Sequence, residues 1–161
     1  MNLPEQLLEI AVRKGVMIAT AESCTAGMIS AAITDVAGSS AIFDRGFVTY
    51  TNAAKKEMLG VTEEDLKQFG AVSEQTAKAM AEAALSKSKA QIAVAVSGIA
   101  GPGGSEFKPE GRVCFALASD MAPPKVETIE FGAIGRANVR ASTVTRALEM
   151  LLEALSDFAD K

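Results

Sequence analysis

Three short stretches of the chain hold residues whose types and spacing suit chemistry. The first is Thr20-Ala21-Glu22-Ser23-Cys24-Thr25-Ala26-Gly27, where an apolar run passes into a small, polar turn and then a helix. A serine there sits beside the free N–H groups of a helix N-terminus, which suits a nucleophile that generates an oxyanion. It equally suits a helix cap. Cys24 occupies the same terminus, where a thiol pKa can be lowered, although a small buried cysteine is the commoner use of that residue. The second stretch runs over residues 47–56 and delivers the only tyrosine, Tyr50, followed by Lys55 and Lys56. A lysine acts as a base only when burial or a second cation brings its pKa well below about 10.4. Otherwise the two lysines are a solvated helix face. The third stretch is Ser97-Gly98-Ile99-Ala100-Gly101-Pro102-Gly103-Gly104-Ser105. Glycines after a buried strand let backbone approach a ligand, and their N–H groups can form a nest for phosphate. The spacing is neither that of a Walker loop nor Gly-x-Gly-x-x-Gly. Arg136 and Arg140, one helical turn apart, can grip a phosphate or lie solvated.

Histidine is absent from all 161 residues. Ser-His-Asp and Cys-His catalysis and His-containing zinc sites are therefore excluded, and a general base must be Lys, Asp, Glu, Tyr or a thiolate. Cys24 and Cys114 make neither a disulfide framework nor a zinc site of the usual spacing. No metal and no cofactor is expected. A net charge of −4 and an aromatic content of 5% lack the basic footprint and stacking platform of nucleic-acid binding. The N-terminus lacks the basic start and apolar run of a signal peptide, and no run approaches the roughly 20 apolar residues of a membrane span. A reduced, cytoplasmic, soluble protein is the expectation, organised as one domain over residues 1–161.

The elements that must position these residues follow from periodicity. Residues 3–14 carry a helical stripe ended by Gly15, and residues 16–20 and 91–97 read as buried strands. A helix is predicted over 28–36 and a strand over 42–50. Asn52 is placed as the cap of a helix over 53–59, Thr62 opens a helix running to about Phe69, and Ser73 caps one over 74–87. Residues 98–110 form a loop, 112–119 and 125–131 a strand pair, and 138–159 a long helix with Val139, Ser142, Val144, Leu148, Leu151, Leu152 and Leu155 inward. Strands alternating with helices predict a three-layer α/β/α sandwich. Its sheet is expected to be mixed and mainly parallel, antiparallel where the last strands follow one another.

The residues 20–25 (TAESCT), 37–50 (AGSSAIFDRGFVTY), 52–55 (NAAK), 70–74 (GAVSE) and 96–104 (VSGIAGPGG) together resemble the C-terminal domain of the CinA family. Its stand-alone members include nicotinamide-nucleotide amidohydrolases. The resemblance spans most of the chain in the right order. It implies an α/β domain that hydrolyses nicotinamide mononucleotide to nicotinate mononucleotide and ammonia without metal, in pyridine nucleotide recycling. Carried over, Ser23 matches the nucleophile, Lys55 its base and Tyr50 the nearby tyrosine. The N–H groups of Cys24 and Thr25 fall to the oxyanion, Gly98, Gly101 and Gly103 to the substrate-side loop, and Arg136 and Arg140 to the phosphate. Ala26 stands where many members have a second glycine, and the separate N-terminal domain of full-length members is expected to be absent. The partner expected is a small nucleotide, with no nucleic acid and no membrane, and the protein is expected to be a homo-oligomer. Three other readings stand beside this one: a non-catalytic nucleotide-binding module, a thiol enzyme using Cys24, and an interaction domain linked to competence or damage.

Overall fold

The alternation of large and small apolar residues along the central strands sets the layers. In β3 (Ile92–Gly98) and β4 (Arg112–Ser119), the side chains of Ile92, Val94, Val96, Val113, Phe115 and Leu117 point to one face. Ala93, Ala95, Cys114, Ala116 and Ala118 point to the other. A strand reverses its side chains at each residue, so one segment serves two cores. The large-residue face packs on α1 (Leu3–Lys14), α2 (Met28–Thr34) and α6 (Arg136–Leu155). The alanine face lets α5 (Glu74–Ser86) lie close, with α3 (Asn52–Leu59) and α4 (Glu63–Phe69) beside it. The computed structural model describes residues 1–105 and 107–161; Glu106, within the predicted loop over 98–110, lies outside the described residues.

With β1 (Ile18–Glu22), β2 (Phe43–Val48) and β5 (Lys125–Glu130), the sheet has five strands in the order β2-β1-β3-β4-β5. β1 pairs parallel with both β2 and β3, while β4 is antiparallel to both of its neighbours. Four strands therefore run one way and only β4 opposes them. This is the expected three-layer architecture with a mixed, mainly parallel sheet. From β1 the chain moves outward to β2, then returns past β1 to β3. A crevice opens where the direction of winding changes, at the carboxyl ends of β1 and β3.

Local signals place most boundaries within a few residues, and the shifts matter to the site. β1 begins and ends two residues later than predicted, because its pairing with β3 continues to Glu22↔Val96. The ladder thus carries Glu22, fully buried, to the very edge of the turn. The cap of α3 is Thr51, whose side chain accepts the Ala54 N–H, rather than Asn52. α6 starts at Arg136, earlier than expected, and it is Thr143 rather than Ser142 that is fully buried, its hydroxyl bonded to the Val139 carbonyl.

Candidate active site

The loops that follow β1, β2 and β3 and the first turn of α6 enclose a cleft of about 460 Å³. Ser23 enters it immediately after β1, its N–H still bonded to the Val96 carbonyl of β3 at 3.1 Å. Lys55 enters from α3. Because Lys55 and Leu59 share the inward stripe of that helix at i and i+4, Lys55 is only 1% exposed. Its neighbour Lys56 is turned to solvent and paired with Glu63. The Lys55 Nζ lies 2.9 Å from Ser23 Oγ and donates to the carbonyls of Thr49 at 3.0 Å and Tyr50 at 3.1 Å. A buried amine within hydrogen-bond reach of a serine hydroxyl is a nucleophile–base pair of the kind acyl transfer uses.

Tyr50 reaches the pair through its main chain rather than its ring. Its carbonyl meets Lys55, whereas its ring is half exposed and its hydroxyl accepts from Arg136 Nη2 at 3.1 Å. Arg136 also donates to the Gly101 carbonyl at 2.7 Å, so it ties the β2 end to the glycine loop across the cleft mouth. Arg140 does not line the cleft. Its guanidinium lies behind the turn and donates to the carbonyls of Cys24 at 3.0 Å and Thr25 at 3.3 Å. Its place outside the cleft lining is the physical reason to separate it from Arg136 as a phosphate contact. Thr25 is likewise fully buried behind the turn, its hydroxyl on Glu22 at 2.6 Å.

Within the turn, Ala26 and Met28 donate to the carbonyls of Ser23 and Thr25, and these bonds close the turn on itself. Among the described residues the N–H groups of Cys24 and Thr25 bond to no main-chain carbonyl, and the Cys24 N–H contacts its own thiol sulfur. Ala26 holds φ 45°, the left-handed region that favours glycine.

The glycine loop is shaped from within the chain. At Gly98 a Cβ would stand 2.6 Å from Val113 Cγ2 and 3.0 Å from the Arg112 carbonyl oxygen, so glycine lets the end of β3 lie close against β4. Gly101 and Gly103 have φ of 91° and 80°. The Gly103 N–H is already bonded to the Glu110 carboxylate, so part of the predicted phosphate nest is filled by the loop's own anion. Lys108 straps the loop to the α4–α5 connection through the carbonyls of Phe69, at 2.8 Å, and Val72.

Of the predicted site residues, Ser23, Cys24, Tyr50, Lys55, Gly98, Gly101, Gly103 and Arg136 line the cleft together, while Thr25 and Arg140 lie behind it. Glu22 and the carbonyl of Thr49 were missed as parts of the site. An acidic residue ending a buried apolar run was a readable signal for Glu22; no signal marks a carbonyl. Among the described residues, no group of three or more His, Cys, Asp and Glu is placed to hold a metal ion, and no helix is long and apolar enough to cross a membrane.

Cys24 lies against the core with 5% exposure, and burial pushes its thiol up to about 11 despite its own backbone N–H and the Arg140 guanidinium nearby. At neutral pH it is a thiol rather than the thiolate that a nucleophile requires. Cys24→Ala is expected to keep kcat within about three-fold of wild type, because an unionised thiol contributes little chemistry. Steady-state turnover of the purified variant checks this, and a loss beyond about a hundred-fold in a folded variant would restore the thiol reading.

The comparisons with known proteins agree on one family. The family model of the CinA C-terminal domain matches residues 1–155, and the chain belongs to that family. It is 55% identical over 120 residues to nicotinamide-nucleotide amidohydrolase PncC of Escherichia coli K12, covering 74% of this chain and 73% of that one. It is 57% identical over 118 residues to a Symbiobacterium thermophilum protein whose name describes it as competence-damage inducible, covering 73% of this chain. The chain spans only 28% of the length of that relative. Among solved structures, the competence/damage inducible protein CihA of Agrobacterium tumefaciens superposes with a TM-score of 0.88 at 50% identity, covering 96% of each chain.

Proposed function

We propose that this chain hydrolyses the carboxamide of nicotinamide mononucleotide, releasing nicotinate mononucleotide and ammonia, with Ser23 as nucleophile and Lys55 as base. The observation that carries the chemistry is the Lys55 Nζ at 2.9 Å from Ser23 Oγ in a chain without histidine. The choice of substrate is supported by the printed activity of the Escherichia coli relative.

The carbonyls of Thr49 and Tyr50 hold two N–H bonds of Lys55. With those two N–H groups so held, a neutral Lys55 amine turns its lone pair to Ser23 Oγ. Ser23 Oγ attacks the carboxamide carbon while its proton passes to Lys55 Nζ. Collapse of the tetrahedral intermediate breaks the C–N bond, and Lys55 returns that proton to the departing nitrogen, which leaves as ammonia. Water then attacks the acyl ester, giving up a proton to Lys55, which passes it to Ser23 Oγ as the acid leaves. The N–H groups of Cys24 and Thr25 stabilise the oxyanion, each worth about 3 kcal/mol. The glycine loop and Arg136 hold the 5′-phosphate at the cleft mouth, and Arg140 braces the turn from behind. Residues 1–161 work as one catalytic domain, in the cytoplasm and as a homo-oligomer, on a small nucleotide rather than on nucleic acid or a membrane.

The test is ammonia release from nicotinamide mononucleotide in the presence of a chelator. Wild type is expected to turn over, and Ser23→Ala to lose at least about 10⁴-fold in kcat, as for other nucleophile deletions. Binding of the nucleotide without turnover by folded wild type would replace the enzyme with a binding module.

A further inference from the structure

The residue before the nucleophile is a buried carboxylate that the mechanism above leaves unused. Glu22 is 0% exposed. Its Oε1 accepts from the Thr25 hydroxyl at 2.6 Å and the Ile29 N–H at 2.8 Å. Its Oε2 accepts from the N–H of Ser30 at 3.0 Å and the Ser30 hydroxyl at 2.8 Å. One side chain thus spans from the end of β1, across the turn at 23–27, to the first turn of α2. The main chain of the same residue reaches the other half of the site: the Glu22 carbonyl takes the Thr49 N–H at 2.9 Å, and the Thr49 carbonyl holds Lys55. From the opposite side Arg140 donates to the carbonyls of Cys24 and Thr25. The turn is therefore clamped between an anion that takes its donors and a cation that takes its acceptors.

The donor set requires a carboxylate. All four contacts are supplied by N–H or O–H groups, which two carboxylate oxygens can accept together. A glutamine offers one accepting oxygen, and its NH₂ would oppose the Ser30 N–H. Burying a charge costs several kcal/mol unless it is fully bonded, and helix α2 could have been capped by a small hydroxyl residue instead.

We infer that Glu22 is a positioning residue for the nucleophile: its carboxylate fixes the turn so that Ser23 Oγ meets Lys55 Nζ and the N–H groups of Cys24 and Thr25 face the oxyanion. This deepens the Ser23–Lys55 reading and rests on it. Because among the described residues the Glu22 carboxylate bonds to Thr25, Ile29 and Ser30 and not to the glycine loop or Arg136, its loss acts on the chemical step and spares nucleotide binding.

The experiment compares wild type, Glu22→Gln and Ser30→Ala by kcat and KM for nicotinamide mononucleotide, by the rate at which a fluorophosphonate labels Ser23, and by thermal unfolding. Glu22→Gln is expected to lose about 100-fold in kcat, the scale of one misaligned oxyanion donor, with KM within about three-fold and labelling slowed in parallel. Ser30→Ala removes one of the four bonds and is expected to lose roughly ten-fold in kcat, the scale of one charge-assisted hydrogen bond. A folded Glu22→Gln that keeps wild-type kcat or wild-type labelling overturns the inference, as does a rise in KM with kcat unchanged. Should Glu22→Gln fail to fold, wild-type kcat in Ser30→Ala overturns it. Labelling of Ser23 that depends on Glu22, without hydrolysis of the nucleotide by wild type, upholds the positioning role and removes the proposed substrate. Turnover that ignores both substitutions does the reverse, and a folded wild type that neither labels nor turns over removes both.

Discussion

Lys55→Met is expected to lower kcat for ammonia release by at least about 10³-fold, within the range attributed to a positioned general acid–base, while the protein stays folded. The amine is 1% exposed and 2.9 Å from the Ser23 hydroxyl. Its removal takes away the acceptor for the serine proton and the donor to the departing nitrogen, so both halves of the reaction slow. Methionine is unbranched and adaptable and can fill the same channel. The cost is that the carbonyls of Thr49 and Tyr50 lose the donor that now joins them, about 1–3 kcal/mol for a buried acceptor left unmet. Steady-state turnover beside a thermal melt separates the two effects. Near-wild-type kcat in the folded variant would remove Lys55 from the mechanism and leave the serine without its proposed base.

The second large effect falls on stability. Gly111 has φ 88°, and a Cβ there would stand 2.1 Å from the Gly132 carbonyl oxygen and 2.4 Å from its nitrogen. Those are main-chain atoms and cannot swing aside. Gly111 also joins two segments, its N–H bonded to the Ile99 carbonyl at 2.7 Å and its carbonyl to the Phe131 N–H at 2.9 Å. Gly111→Ala is therefore expected to cost roughly 3 kcal/mol, from the left-handed backbone and the overpacking together. In a chain of this size that lowers Tm by about 6–12 °C. Thermal unfolding followed by circular dichroism checks it, and a Tm within 2 °C of wild type, below the shift of about 1 kcal/mol, would refute the close approach.

The two lysines show where reading the sequence stops. Lys55 and Lys56 are adjacent and chemically identical, and only the phase of α3 against α5 and the turn after β1 buries one and exposes the other. The two arginines behave the same way. Arg136 and Arg140 share a face of α6 at i and i+4, yet one borders the cleft and the other sits behind the turn at Cys24 and Thr25. Helical spacing predicts that they are neighbours but not what lies opposite them. Glu22 was legible as an acidic residue closing a buried run, but its four donors come from residues three to eight positions later, brought back by a turn whose path the sequence does not reveal.

By itself the sequence determined the layer architecture, because the period of its apolar residues dictates strands and helices. It also determined the exclusion of histidine chemistry, because composition needs no coordinates, and the position of the glycine loop after β3. Tertiary structure alone decided how Lys55 is buried against Ser23, that burial raises the Cys24 thiol, that Tyr50 offers its carbonyl rather than its hydroxyl to the pair, and that a buried carboxylate bonds across the turn. Each of these depends on distances between segments far apart in the chain, and local propensity carries no information about them.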